Sequence, residues 1–188
     1  MGVHDGPEYA ASEPDVRERL VAIEELWQQL VSAAEEGQTE IQSAQILIEL
    51  TDGLVTESNQ LVERIISKLE DRHGKLLAES GRQRMLGQRV ASLALCKKAG
   101  VSEGLVEGKV DDLLRDLEES NRELKAEVGD ETALQSELDT AYRKIEELGG
   151  VVRGDEWNPY RLLETKDHFV EGMNRTADKV TRAATSDR

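Results

Sequence analysis

Residues 39–72 read TEIQSAQILIELTDGLVTESNQLVERIISKLEDR. Within this stretch Ile41, Ile48, Val55 and Val62 recur every seven residues, with Leu50, Leu54, Leu61 and Ile65 beside them. A seven-residue apolar repeat is the seam of a helix packed lengthwise on other helices. No alternating run of β-branched residues is long enough to specify a sheet. The spacing therefore predicts an all-α fold, an antiparallel helical bundle of the four-helix type with an extra N-terminal helical hairpin. Gly53 interrupts the seam at a cost of about 1 kcal/mol relative to Ala, and marks a kink or a close approach.

Working outward, a helix is expected over about residues 13–36, with Ser12 as cap, Pro14 in the first turn and Gly37 after its end. Its stripe is Leu20, Ile23, Leu26, Leu30 and Ala33. Beyond residue 74, four more helices follow: Lys75 to Lys98, Ser102 to Val128, Glu131 to Leu148, and one opened by Asn158-Pro159 and reaching Ala184. The fourth helix carries Leu105, Val110, Leu113, Leu114, Leu117 and Leu124, and the fifth is expected to stop at Gly149-Gly150. In the last, Leu163, Val170 and Ala177 repeat at seven, as do Met173 and Val180. The domains are thus a disordered tail (1–12), an N-terminal hairpin (13–73), a four-helix bundle (74–184) and a short tail (185–188). At an offset of 115 residues, Asp52, Val55 and Asn59 fall on Asp167, Val170 and Asn174, which suggests that the first hairpin is a copy of the last.

The 188 residues hold 39 Asp and Glu against 24 Lys and Arg, a net charge of −15. Such a body is repelled by phosphate, so nucleic acid and anionic membranes are not expected partners. No apolar run approaches the roughly 18–20 residues of a spanning helix, so membrane insertion is not expected either. The first residues lack a signal peptide's basic start and apolar core, and a cytoplasmic location is expected. The alternative is a periplasmic sensory domain whose signal or anchor has been removed. The lone Cys96 excludes a disulfide scaffold and a Cys-x-x-Cys site, and reads as a small buried hydrophobe.

One segment departs from generic bundle sequence. Residues 80–102, SGRQRMLGQRVASLALCKKAGVS, contain five basic residues and no acidic one. In a chain this acidic, that is an island of positive potential. On a helix, Arg82, Met85, Leu86, Arg89, Val90 and Leu93 share one side, and Ser80, Gly81, Arg84, Gly87, Gln88 and Ala91 share another. The second face is small and polar, with one long cation at its centre. If it met the same face of a second copy, two Arg84 guanidinium groups would approach across a twofold axis and need a neutralising charge. A small planar oxyanion between them would supply it.

The stretch Ser80-Gly81-Arg82-Gln83-Arg84-Met85-Leu86-Gly87-Gln88-Arg89-Val90 resembles the AGRQRMLSQR signature of PilJ-type sensory domains. These stand at the N-termini of type IV pilus chemotaxis transducers and of related nitrate chemoreceptors. It is also similar to the P-box of nitrate/nitrite-sensing histidine kinases, a helical segment of the form AGSLRMQSYR. The closing helix LLETKDHFVEGMNRTADKV (162–180) looks like that family's last helix. The resemblance implies a homodimeric four-helix sensory bundle for signal transduction, with Arg84 gripping nitrate or nitrite at the dimer interface. Gly81 would lie one turn before it, Arg89 at the second arginine position, and Arg82, Gln88 and Ser80 around them. Signalling would then pass by helix shift to a partner protein. The family's flanking transmembrane helices and its kinase or methyl-accepting output module have no counterpart in this sequence.

Other candidates read as structural. Glu70-x-x-His73 has the spacing of a bundle di-iron ligand pair, yet only Glu164 and His168 stand elsewhere and at the wrong spacing, so no metal or other cofactor is expected. Trp27 and Trp157 read as core or rim anchors, with Trp157, beside the one long loop, an alternative lid. Asn59 and Asn174 interrupt apolar stripes and read as register-setting residues, though one facing the motif helix would complete an anion pocket. No nucleophile–base pair, phosphate-cradling loop or paired carboxylates stand out, so catalysis is not expected. The competing reading is a structural or adaptor bundle that binds a protein partner and no small molecule.

Overall fold

A computed structural model describes residues 14–35, 41–68, 72–101, 106, 108–154 and 157–186. The tails and the caps expected at Ser12 and Gly37 lie outside these residues. Among them the chain is all-α, with six long helices: α1 Pro14–Glu35, α2 Ile41–Lys68, α3 Arg72–Lys98, α4 Lys109–Val128, α5 Thr132–Arg153 and α6 Pro159–Ser186. They belong to two compact units, residues 1–74 and 75–188.

The first unit is the hairpin of α1 and α2. Val16, Ile48 and Val55 are buried in it, and Leu26 lies in van der Waals contact with the open side of Gly53. Gly53 is therefore a close approach and not a break in α2. Arg19 of α1 pairs with Glu57 of α2 at 2.8 Å and also donates to Gln60, while Arg64 reaches Asp15 at 3.5 Å. The expected stripe is only partly covered, since Leu20 remains 42 % exposed and Val16 takes the buried place one turn earlier. A single partner helix shields a narrower strip than the roughly 100° face of an amphipathic helix, so the flank of the stripe stays wet.

The second unit is an antiparallel four-helix bundle. Gln83 of α3 reaches Ser120 of α4, Gln135 of α5 reaches the Lys125 carbonyl of α4, Glu137 of α5 meets Lys179 of α6, and Asn174 of α6 returns to Arg84 of α3. These four links close the ring. Inside it are Leu76, Leu86 and Val90 of α3, Leu114, Leu117 and Leu124 of α4, Leu138, Ile145 and Leu148 of α5, and Leu162, Phe169, Met173 and Val180 of α6. Each fully buried side chain of this size contributes about 1.5–3 kcal/mol relative to exposure.

Two element boundaries differ by several residues from the sequence expectation. Helix α4 begins at Lys109 instead of Ser102, because Gly108 has φ 80°, which a right-handed helix cannot contain. Leu105, expected in its stripe, lies outside the described residues. Helix α5 runs through Gly149-Gly150 to Arg153, so the connection to α6 is shorter than the expected loop from Gly149 to Asn158. Gly149 is buried, and a β-carbon there would lie 3.8 Å from Leu114 and 3.3 Å from Arg153 Nη1. It is carried through the helix and does not terminate it. At α6 the Asn158 carboxamide accepts from the backbone N–H groups of Tyr160 (3.0 Å) and Arg161 (3.1 Å), the cap expected from Asn-Pro.

In α6 the expected row of Met173 and Val180 is fully buried, but the other expected row is rotated by one residue. Leu162, Phe169 and Thr176 are buried, whereas Leu163 is exposed and Val170 and Ala177 are half-buried. In burial, Ile48 and Val55 of the first hairpin therefore correspond to Leu162 and Phe169, an offset of 114 residues. The sequence identities sit at 115, one residue and about 100° of helix away. The two hairpins share an architecture, but the identities occupy different faces in each.

Helix α3 reaches α6 closely at Gly87. A β-carbon at this position would lie 2.5 Å from the buried ring of Phe169. Gly87→Ala should therefore destabilise the bundle by about 1–3 kcal/mol in urea unfolding. Phe169→Leu in the same chain should recover part of that loss. A neutral Gly87→Ala would show that the ring moves aside freely.

Candidate anion site

The motif helix α3 presents its candidate residues in three environments. Ser80 is buried, and its hydroxyl donates back to the Leu76 carbonyl at 2.8 Å. Gly87 and Ala91 are buried as well. Half of the small face expected to meet a second copy is thus buried within its own bundle, with Gly87 set against Phe169 of α6. What stays accessible is a strip: half-buried Gly81 and Arg84, and exposed Gln88.

The cations on α3 differ in what answers their charge. Arg82 pairs with Glu79 at 3.2 Å, so it lends little field to its neighbours. Arg89 is half-buried and has a partner of its own. Arg84 donates to a neutral group: its Nη1 lies 2.6 Å from Oδ1 of Asn174 on α6. Among the described residues no carboxylate meets it. Asn174 was one of two asparagines marked in the sequence as interrupting a stripe, and it does face the motif helix. Its counterpart Asn59 is half-buried in the first unit.

The molecule contains its own comparison. Gly81-x-x-Arg84 on α3 and Gly172-x-x-Arg175 on α6 have the same spacing, and in both the guanidinium Nη2 lies 3.6 Å from where the glycine's β-carbon would be. Arg175, however, meets Glu137 at 3.3 Å and Glu171 at 3.5 Å. One arginine is neutralised by carboxylates and the other is left to an amide. Lys179 also bonds Glu137 at 2.8 Å. That bond, aided by Arg175 and opposed by partial burial, holds the Glu137 carboxyl below the usual glutamate range.

Beneath the strip lies a polar layer that sequence reasoning missed. Gln83 donates to Ser120 Oγ at 3.0 Å, and Ser120 donates to the Glu79 carboxylate. Gln83 and Asn121 are both 0 % exposed. Neither Oε1 of Gln83 nor either polar atom of the Asn121 carboxamide has a hydrogen-bond partner among the described residues. The signal was present in the sequence as Ser120-Asn121, set between Leu117 and Leu124 in the middle of the α4 stripe.

Among the described residues no three His, Cys, Asp or Glu side chains gather as a metal site, and Glu70 lies outside them. Cys96 is half-buried, with its thiol pKa pushed up by burial, which disfavours the reactive thiolate. Among the described residues no helix is long and apolar enough to cross a membrane. No family model matches the chain, and no curated protein or solved structure matches it either.

Two outcomes test this geometry. Asn121→Leu removes the unbonded carboxamide at similar volume, and should raise stability by about 1–3 kcal/mol in urea unfolding. A loss of that size would show that the amide is bonded in solution. For Glu137, a lowered folded-state pKa means stability that is present above the unfolded value and lost as pH falls through the folded one. The stability gap between the wild type and Glu137→Gln should thus be about 0.5–1 kcal/mol at neutral pH, and close below the usual glutamate range.

Proposed function

We propose that this chain is a small-anion sensory domain of the PilJ and P-box type, and that it binds nitrate or nitrite through Arg84. The observation that carries the reading is the neutral partner of Arg84. In a chain of net charge −15, a half-buried guanidinium paired with an amide keeps both its charge and its free N–H groups for an incoming anion. The contrast with Arg175 argues that this is a property of the site and not of the Gly-x-x-Arg spacing. A planar oxyanion accepts two parallel hydrogen bonds from a guanidinium fork. The Asn174 amide nitrogen is a further donor beside it, and Gly81 leaves the approach open.

Binding would proceed without covalent chemistry. The anion competes with Asn174 Oδ1 for Arg84, so occupancy loosens one link between α3 and α6 and favours a small displacement of α3. A second copy meeting the strip of Gly81, Arg84 and Gln88 would bring a second guanidinium to the same anion, giving the symmetric dimer that the motif implies. The displacement would be read by a downstream partner. A second reading has its own support: Leu20, Val21, Trp27 and Ile46 of the first unit are exposed, an apolar surface of the kind an adaptor offers to a protein partner.

Thermal melts with nitrate, nitrite, chloride and sulfate at matched ionic strength separate these readings. At about 100 times its dissociation constant a ligand adds about 2.7 kcal/mol, or roughly 5–10 °C for a chain of this size. The shift should appear with nitrate or nitrite only, vanish in Arg84→Ala and persist in Arg175→Ala. No selective shift up to roughly 50 mM, a weaker-than-millimolar affinity, would sink the anion reading in favour of the adaptor.

A further inference from the structure

At the end of the second unit where α3 and α5 finish and α4 begins, there is a cavity of about 410 Å3. Lys97 and Lys98 of α3, Val110 and Asp111 of α4, Arg153 of α5 and Trp157 line it. Among the described residues its charge is unbalanced. Arg153 Nε donates to Asp111 at 2.8 Å, which settles one cation. Lys98 Nζ lies 5.4 Å from the centroid of the Trp157 ring, a cation–π contact and not an ion pair. Lys97 meets no carboxylate among the described residues. Two ammonium groups and an indole wall therefore face one open space. Basic residues in the last turn of α3 also answer that helix's C-terminal carbonyls. That role requires neither a cavity nor an aromatic wall.

We propose that this cavity binds a small planar carboxylate, with its ring against Trp157 and its carboxylate between Lys97 and Lys98. The volume lies within the range of small-molecule pockets, about 300–1,000 Å3. A flat apolar body is what an indole face accepts, and a carboxylate is what two ammonium groups beside it require. Lys97 stands 13 residues beyond Arg84 on α3, about 20 Å along the helix axis, so the site is separate and does not depend on the nitrate reading. The basic segment of α3 thus carries two cationic stations, one on the α6 side and one at the bundle end.

The chain has two tryptophans, so Trp27→Phe leaves Trp157 as the sole reporter. Its emission should change saturably with benzoate, at a half-saturation about tenfold below that for acetate, and should not respond to benzylamine. Lys97→Gln/Lys98→Gln should raise the benzoate value about tenfold, while Arg84→Ala leaves it unchanged. Shifts of the Gly154 amide resonance in the wild-type chain give the same titration without the Trp27 substitution. Equal responses to benzoate and benzylamine, or an unaltered lysine double variant, would overturn the assignment. So would the absence of any saturable change up to roughly 50 mM, leaving the lysines as counter-charges for the helix end.

Discussion

The approach of α3 to α6 at Gly87 is the constraint on which the second unit depends. The Phe169 ring occupies the space where any other residue would place its β-carbon, and the ring is itself fully buried. Fixing this one contact fixes which face of α3 turns inward. Ser80, Ala91 and Ala94 then line the interior with Gly87, and Arg84 and Gln88 are carried to the edge. The same rotation brings Arg84 within 2.6 Å of Asn174, five residues beyond Phe169 on α6. The Arg84–Asn174 pairing is in this sense a by-product of how an aromatic ring is accommodated.

Much of this was legible from residue types. Seven-residue spacing specified helices that pack lengthwise, Asn158-Pro159 gave a cap that forms as written, and the acid-free segment singled out α3. What was not legible depends on rotation and on partners. Amphipathic periodicity locates a stripe to within a residue or so, and one residue is about 100°. Hence Leu163 and Val170 stood in for Leu162 and Phe169, and nothing local showed that Gly87 of the small face receives the Phe169 ring of α6. Gly149-Gly150 looked like a terminator because glycine often ends helices, but both residues keep right-handed helical backbone and α5 runs on to Arg153. The neutral partner of Arg84 was half visible: Asn174 stood out in its stripe, but nothing local paired it with a residue 90 positions earlier.

The polar layer of Gln83, Ser120 and Asn121 divides the interior into two apolar halves. Toward one end stand Leu76, Leu124, Val128 and Leu134, and toward the other Leu86, Val90, Leu114 and Ile145. Unpaired buried amides cost stability, as much as a whole well-packed methylene or more. A core free to maximise stability would replace them. Their cost is compatible with a bundle whose helices must hold one register and yet be displaced, because a polar layer penalises every misaligned pairing while weakening the aligned one.

The groove on α3 that receives Phe169 is graded. One turn toward the C-terminus from Gly87 stands Ala91 and then Ala94, and one turn toward the N-terminus stands Gln83, a bulky side chain already bonded to α4. An axial step of α3 that brings Ala91 opposite the ring asks it to yield to a single methyl group. The opposite step drives it into a whole carboxamide side chain. Motion along this seam therefore has a soft direction and a hard one, and the bundle behaves less like a hinge than like a pawl.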